Sequence, residues 1–119
     1  MKKIIFLLLF SAKVYSQETF VTATVYNAVV EQCNSDPSHT ASMFKLDLTN
    51  PFKHKIIAVS RDLLKKFPFN TFVKIDGTRY DGIYQVQDVM NKRYTKRIDL
   101  LINKGMKIGK WDNVKIKKI

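Results

Sequence analysis

A single cysteine, Cys33, stands in this 119-residue chain. No disulfide can form within it, so stability has to come from packing and backbone pairing. The two histidines, His39 and His54, lie far apart and make a poor ligand set beside one thiol. No metal or other cofactor is expected. The longest apolar stretch, Ile4 to Phe10, falls well short of the ~20 residues a membrane-spanning helix needs. Acidic residues are scarce, 10 against 21 lysines and arginines, for a formal charge of +11. Zinc-finger spacing and interleaved basic and aromatic residues are both missing, which speaks against nucleic acid as the partner. Linkers, repeats and low-complexity tracts are missing too, and the length suits one domain.

The N-terminus carries an export pattern. Lys2 and Lys3 precede the apolar run Ile4–Phe10, and Ser11 to Ser16 then turns small and polar. Val14 and Ser16 fit the −3 and −1 positions of a signal-peptidase site. Residues 1–16 are therefore expected to be a signal peptide and residues 17–119 the exported domain, periplasmic or extracellular. With no cysteine beside the cleavage point, no stable membrane anchor is expected. Cleavage would leave about +8, three lysines fewer. Outside the cytoplasm the plentiful polyanions belong to the cell envelope, including the carboxylates of peptidoglycan. Cys33 reads as a buried or quiet loop thiol.

The rest of the chain reads as short strands separated by turns. Thr19–Tyr26 alternates, with Phe20, Thr22, Thr24 and Tyr26 on one face and Val21, Ala23 and Val25 on the other. Residues 34–38 are loop chemistry, as is the stretch from Asn50-Pro51 through Lys55, which puts His54 at the surface. Ile56–Val59 reads as a buried strand, followed by one helical turn that Ser60 could cap and Pro68 stops. Thr71–Ile75 is a strand before the Asp76-Gly77 turn. Gly82–Asp88 alternates, Arg97–Ile102 is a buried strand containing one charge, Met106–Gly109 is a turn or short helix, and Val114–Ile119 closes the chain. Trp111 suits a core anchor. Six or seven strands with little helix predict an all-β protein, a small closed barrel with one or two short helical turns, since closure removes exposed edges.

Two carboxylates stand out. Asp88 ends an apolar strand beside a loop containing Asn91, Lys92 and Arg93. Asp99 lies inside Ile98–Ile102, where a charge has to be satisfied. Eleven residues apart on successive strands, they could converge at one barrel end; both also have plain structural readings, as a strand terminator and as an acceptor for a neighbouring loop.

Several segments, taken in order, resemble the three-aspartate (3D) domain, a double-psi β-barrel family related to the rare-lipoprotein-A domain and the barrel of membrane-bound lytic transglycosylase A. They are Thr22–Tyr26, Asp36–Ser42, Ile57–Leu64, Val86–Asp88, Arg97–Leu100 and the closing Gly109…Val114–Ile116. The resemblance covers nearly all of residues 20–117 and implies a double-psi barrel that cleaves peptidoglycan glycan strands by lytic transglycosylation. It implies Asp88 as the general acid/base and Asp99 as a supporting aspartate. The candidate substrate-binding residues are Tyr26 and Thr40, each equally readable as a packing or turn residue, with Ser60 and Arg93. Such an acid needs a raised pKa, which burial near Met90 and Tyr84 would provide and Lys92 and Arg93 would oppose. His39 could hydrogen-bond the sugar or be an ordinary loop residue.

The sequence departs from that family where its first aspartate gives way to Ser60, with Asp62 two residues on. It departs again where its usual glycines give way to Met43 and Met90. The first reading is thus an exported, monomeric peptidoglycan lytic transglycosylase. The alternative is a non-catalytic, expansin-like module that binds cell-wall glycan.

Overall fold

The computed structural model describes residues 18–28 and 36–119. The signal-peptide expectation for residues 1–16 and the reading of Cys33 both fall outside those residues. Six strands make up the fold: β1 (Glu18–Asn27), β2 (Ile56–Val59), β3 (Phe72–Asp76), β4 (Gly82–Val89), β5 (Arg97–Ile102) and β6 (Trp111–Lys118). They close into a barrel in the order β1-β5-β2-β4-β3-β6. The pairs β1–β5 and β2–β4 are parallel and the other four antiparallel. Two parallel pairs embedded in an otherwise antiparallel barrel are what crossing, psi-type connections produce. The expected all-β barrel is therefore present, and its only helical pieces among the described residues are two 3-10 turns, Pro51–His54 and Arg61–Leu63.

Alternation decides what fills the interior. Val21 and Ala23 of β1, Ile57 and Val59 of β2, Val73 and Ile75 of β3, Tyr84 and Val86 of β4, Ile98 and Leu100 of β5, and Val114 and Ile116 of β6 all belong to one buried cluster. Phe67 and Leu63, from the segment after β2, plug it. The opposite faces of β1, β5 and β2 are covered separately, where Leu46 from the loop before β2 packs on Ile56 and Leu101 beside Tyr26 and Phe44. This second layer explains why Ile56 is buried although its side chain faces away from the main core.

Several local readings change. The turn after β2 is present, but the Ser60 hydroxyl does not cap it; it accepts a hydrogen bond from the Arg97 backbone N–H at 3.1 Å. β6 starts at Trp111, three residues earlier than alternation suggested, because Asn113 adopts a left-handed φ of 56° and lets the strand continue past an irregular pairing with β1. His54 is half-buried, not a surface residue: its Nε2 accepts from the Asp47 N–H at 3.0 Å and its ring meets Phe44 edge-on. Trp111 is half-buried against the core and meets Tyr80 edge-on.

Candidate functional site

The groove is built on the outer wall of the barrel. In the strand register Thr24 lies opposite Asp99, Asp99 opposite Ala58, and Ala58 opposite Asp88. These four residues form a row running across β1, β5, β2 and β4. Strands lie ~4.8 Å apart, so the two aspartate Cα atoms, two strands apart, are separated by roughly 10 Å with a methyl group between them. The aspartates thus meet as expected, though side by side on the barrel wall and not at its end.

Asp88 reaches this wall through a β-bulge. Tyr84 and Val86 point into the core, and strict alternation would send Asp88 after them. The pairing of β4 with β2 slips by one residue, from Ile57↔Val86 to Ala58↔Asp88. Gln87 is the extra residue, and it turns Asp88 outward. Gln87 itself is buried, accepting from the Ser42 hydroxyl and donating to Asn70 Oδ1 at 2.9 Å.

Around this row lies an open groove of about 750 Å³. One wall is the loop before β2, contributing Asp36, Pro37, His39, Thr40 and Ala41; the other is Arg61 together with the segment Met90–Tyr94 after β4. The loop is pinned to β4 by Ser42, whose N–H donates to the Gln87 carbonyl, and by Ala41, whose N–H donates to Asp88. Thr40 is buried within it, its hydroxyl bonded to Ser42 and accepting from the Phe44 N–H. His39 Nδ1 is held 3.1 Å from Asp36.

The two aspartates differ in their surroundings. Three donors converge on Asp88: the Tyr26 hydroxyl, the Ala41 N–H and its neighbour's Val89 N–H, each at 3.0 Å. For Asp99 the hydroxyl of Thr24 donates at 2.9 Å. Burial raises the Asp99 carboxyl to about 6; the Thr24 hydrogen bond and the Arg97 charge pull the other way, and the Asp88 charge adds to the rise. The raised carboxyl thus sits on Asp99. Tyr84, expected to bury Asp88, faces the barrel interior on the other side of β4.

Of the residues singled out from sequence, Tyr26, Thr40, Asp88, Arg93 and Asp99 line one groove. Ser60 is not among them: it is fully buried beneath, bonded to Arg97. Asp62 turns away to accept from the Lys96 N–H. Ala58, Arg61 and Tyr94 were not picked out as site residues. Ala58 had no chemistry to draw notice; Tyr94, spaced between Arg93 and Arg97, was the readable signal.

No family model matches the chain, and no curated protein matches it. Solved structures that share its fold include two expansins. The apo expansin of Clavibacter michiganensis superposes with a TM-score of 0.55 at 14% identity, and an aspartate-to-asparagine variant of an expansin from the same organism, in complex with cellohexaose, with 0.52 at 15%. Each match covers 87% of this chain and 50% of the expansin. The chain thus spans about half the length of the expansins it resembles, and what it shares with them is the barrel.

Proposed function

We propose that this protein is an exported cell-wall glycan-binding module that holds a polysaccharide chain in the groove over Thr24, Asp99, Ala58 and Asp88. One observation carries the reading: an open polar groove whose floor presents two carboxylates and a threonine on either side of the smallest side chain available short of glycine. Carboxylates and hydroxyls are the natural acceptors for sugar hydroxyls, and Ala58 leaves room for a ring to lie between them. The shared fold with an expansin that binds cellohexaose supports a glycan as the ligand. The export pattern, together with the ordered segments resembling the three-aspartate family, supports peptidoglycan as the polymer.

The test is co-sedimentation of the purified protein with peptidoglycan sacculi and with cellulose. Wild type should pellet with sacculi, and Ala58→Leu, which fills the floor, should weaken that binding at least tenfold while the thermal melt stays cooperative. Failure of the wild type to pellet with either polymer would overturn the reading.

A second reading, lytic transglycosylation, is favoured by Asp99. A carboxyl raised to about 6 is in part protonated near neutrality, as a general acid has to be. Asp99 would protonate the glycosidic oxygen as the C1–O bond breaks. The sugar's own C6 hydroxyl would close onto C1, returning its proton to the same carboxylate. No water is added and an anhydro sugar results, so no second carboxylate is needed as a nucleophile. In this reading Asp99 takes the acid role and Asp88, with its three donors, positions Tyr26 and the loop. Mass spectrometry of sacculi digests should then show anhydro-muropeptides that disappear in Asp99→Asn. Intact sacculi after prolonged incubation would leave the module as a binder alone.

A further inference from the structure

The wall of the groove after β2 and β4 carries arginines that form no salt bridge among the described residues. β2 and β4 run parallel and β5 antiparallel to β2, so the ends of the first two and the start of the third gather at one end of the barrel. Arg61, Arg93 and Arg97 come from those three places. Arg61 is tethered by its Nε to the Met90 carbonyl at 3.3 Å, which fixes the root of the guanidinium and leaves its two terminal nitrogens. Arg93 and Arg97 both stack on Tyr94, each with Cζ 4.8 Å from the ring centroid, and Arg93 also donates to the Tyr94 hydroxyl.

The three salt bridges among the described residues are His39–Asp36, Lys53–Asp47 and Lys115–Glu18. None involves these arginines. The nearest acid in sequence, Asp62, spends an oxygen on the Lys96 N–H. Two guanidiniums against one ring repel each other, and the ring relieves that only in part. Arg97 feels the Asp99 carboxylate, while Arg61 and Arg93 form no salt bridge among the described residues; planar, forked donors so placed at the edge of a groove are suited to an oxyanion carried by the ligand.

Resting on the glycan-binding reading, we propose that Arg61 and Arg93, with Tyr94 and Arg97 behind them, form an anion subsite that takes a carboxylate borne by the glycan. The preferred ligand is then an acidic, peptide-substituted polysaccharide such as peptidoglycan, not a neutral glucan. The subsite also orients the ligand. Its sugar ring lies over Ala58, and its acidic substituent points to the end of the barrel where β2 and β4 finish, away from Asp36 on the opposite wall.

The probe is sacculi freed of phosphate polymers with hydrofluoric acid, used as they are and after carbodiimide amidation of their carboxylates. Wild type should bind the amidated sacculi at least tenfold more weakly than the untreated ones. Arg61→Gln/Arg93→Gln should lose about tenfold on untreated sacculi and less than twofold on amidated ones. Arg93→Lys, which keeps the charge and loses the fork, should fall between and covers the case in which the double variant melts early. Lys74→Gln/Lys117→Gln, removing two lysines from a different face of the barrel, should change binding less than twofold.

An equal loss from the lysine pair would mean diffuse attraction and overturn the subsite, as would an arginine variant that weakens binding equally on both preparations. Arginine variants that bind untreated sacculi like wild type would sink the subsite while the glycan reading stands. Wild type that binds neither sacculi nor cellulose would remove the glycan reading and the subsite together.

Discussion

At the level of single side chains, the acidity of Asp99 has a consequence for stability that can be separated from any ligand. Below about pH 4 its carboxyl is protonated in both the folded and the unfolded chain and contributes nothing. Between pH 4 and 6 the unfolded chain releases its proton first, so stability falls as pH rises, and above 6 the whole penalty persists. A rise from 3.8 to about 6 corresponds to a penalty on the order of 2–3 kcal/mol. Asp99→Asn should therefore melt several degrees above wild type at pH 7, with the gain vanishing by pH 4 in melts followed by circular dichroism. Asp36 is shifted the other way by hydrogen bonds from Ser38; in Asp62 and Asp81 burial pushes up but hydrogen bonds that favour the charged form together outweigh it, and all three lose their contribution in acid. Both proteins share those groups, so the difference between them isolates Asp99. A second residue to test is Met43, which sits at a left-handed φ of 71° with its side chain exposed. That conformation strains a side chain bearing a Cβ, and Met43→Gly should raise stability by about 0.5–1 kcal/mol in urea titrations.

Among the elements, β4 and the loop before β2 act together through Gln87. Its side chain joins Ser42 of the loop to Asn70 before β3, and its carbonyl holds the Ser42 N–H. Gln87→Ala removes both side-chain bonds and leaves a void where a buried side chain stood, and should destabilise by about 1–3 kcal/mol. Amide exchange in residues 40–46 should quicken more than exchange in β6, because the loop loses an anchor that β6 never used. Much of this level was readable from sequence. Strict alternation exposed β1 with its faces correctly sorted, and the apolar runs at β2 and β5 stood out with boundaries that hold. Asp88 and Asp99 were visible because a charge in an apolar strand needs an explanation. The bulge at Gln87 was not visible, since Tyr84, Val86 and Asp88 share a parity and only the pairing with β2 shows the slip. Ser60 is ambiguous from sequence for a related reason: its position after a strand fits a cap or a site residue equally well, and only its burial shows that it is neither. The loop that walls the groove owes its placement to contacts distant in sequence, which local patterns do not encode.

Over the whole molecule, closure of the barrel depends on the last strand. β6 is hydrogen-bonded to β1 on one side and β3 on the other, and Val114 and Ile116 are fully buried in the core. A chain ending at residue 110 would present two open edges and a core missing one wall. It should show no cooperative melt and should elute as an expanded or aggregated species in size exclusion. The groove lies on the other side, over β1, β5, β2 and β4, so substitutions on its floor should leave that cooperativity intact.

The bulge in β4 places the chemistry of this barrel under the control of chain length. Adding a single residue to β2 opposite Gln87 would pair off the bulge, preserve every aspartate, arginine and tyrosine named above, and still turn Asp88 into the barrel interior. Among descendants of this sequence, a one-residue insertion in β2 opposite the bulge would therefore be a more abrupt route to a silent relative than most substitutions. Identity of the aspartates alone would not reveal which members keep the groove; the spacing from Val86 to Asp88 relative to β2 would.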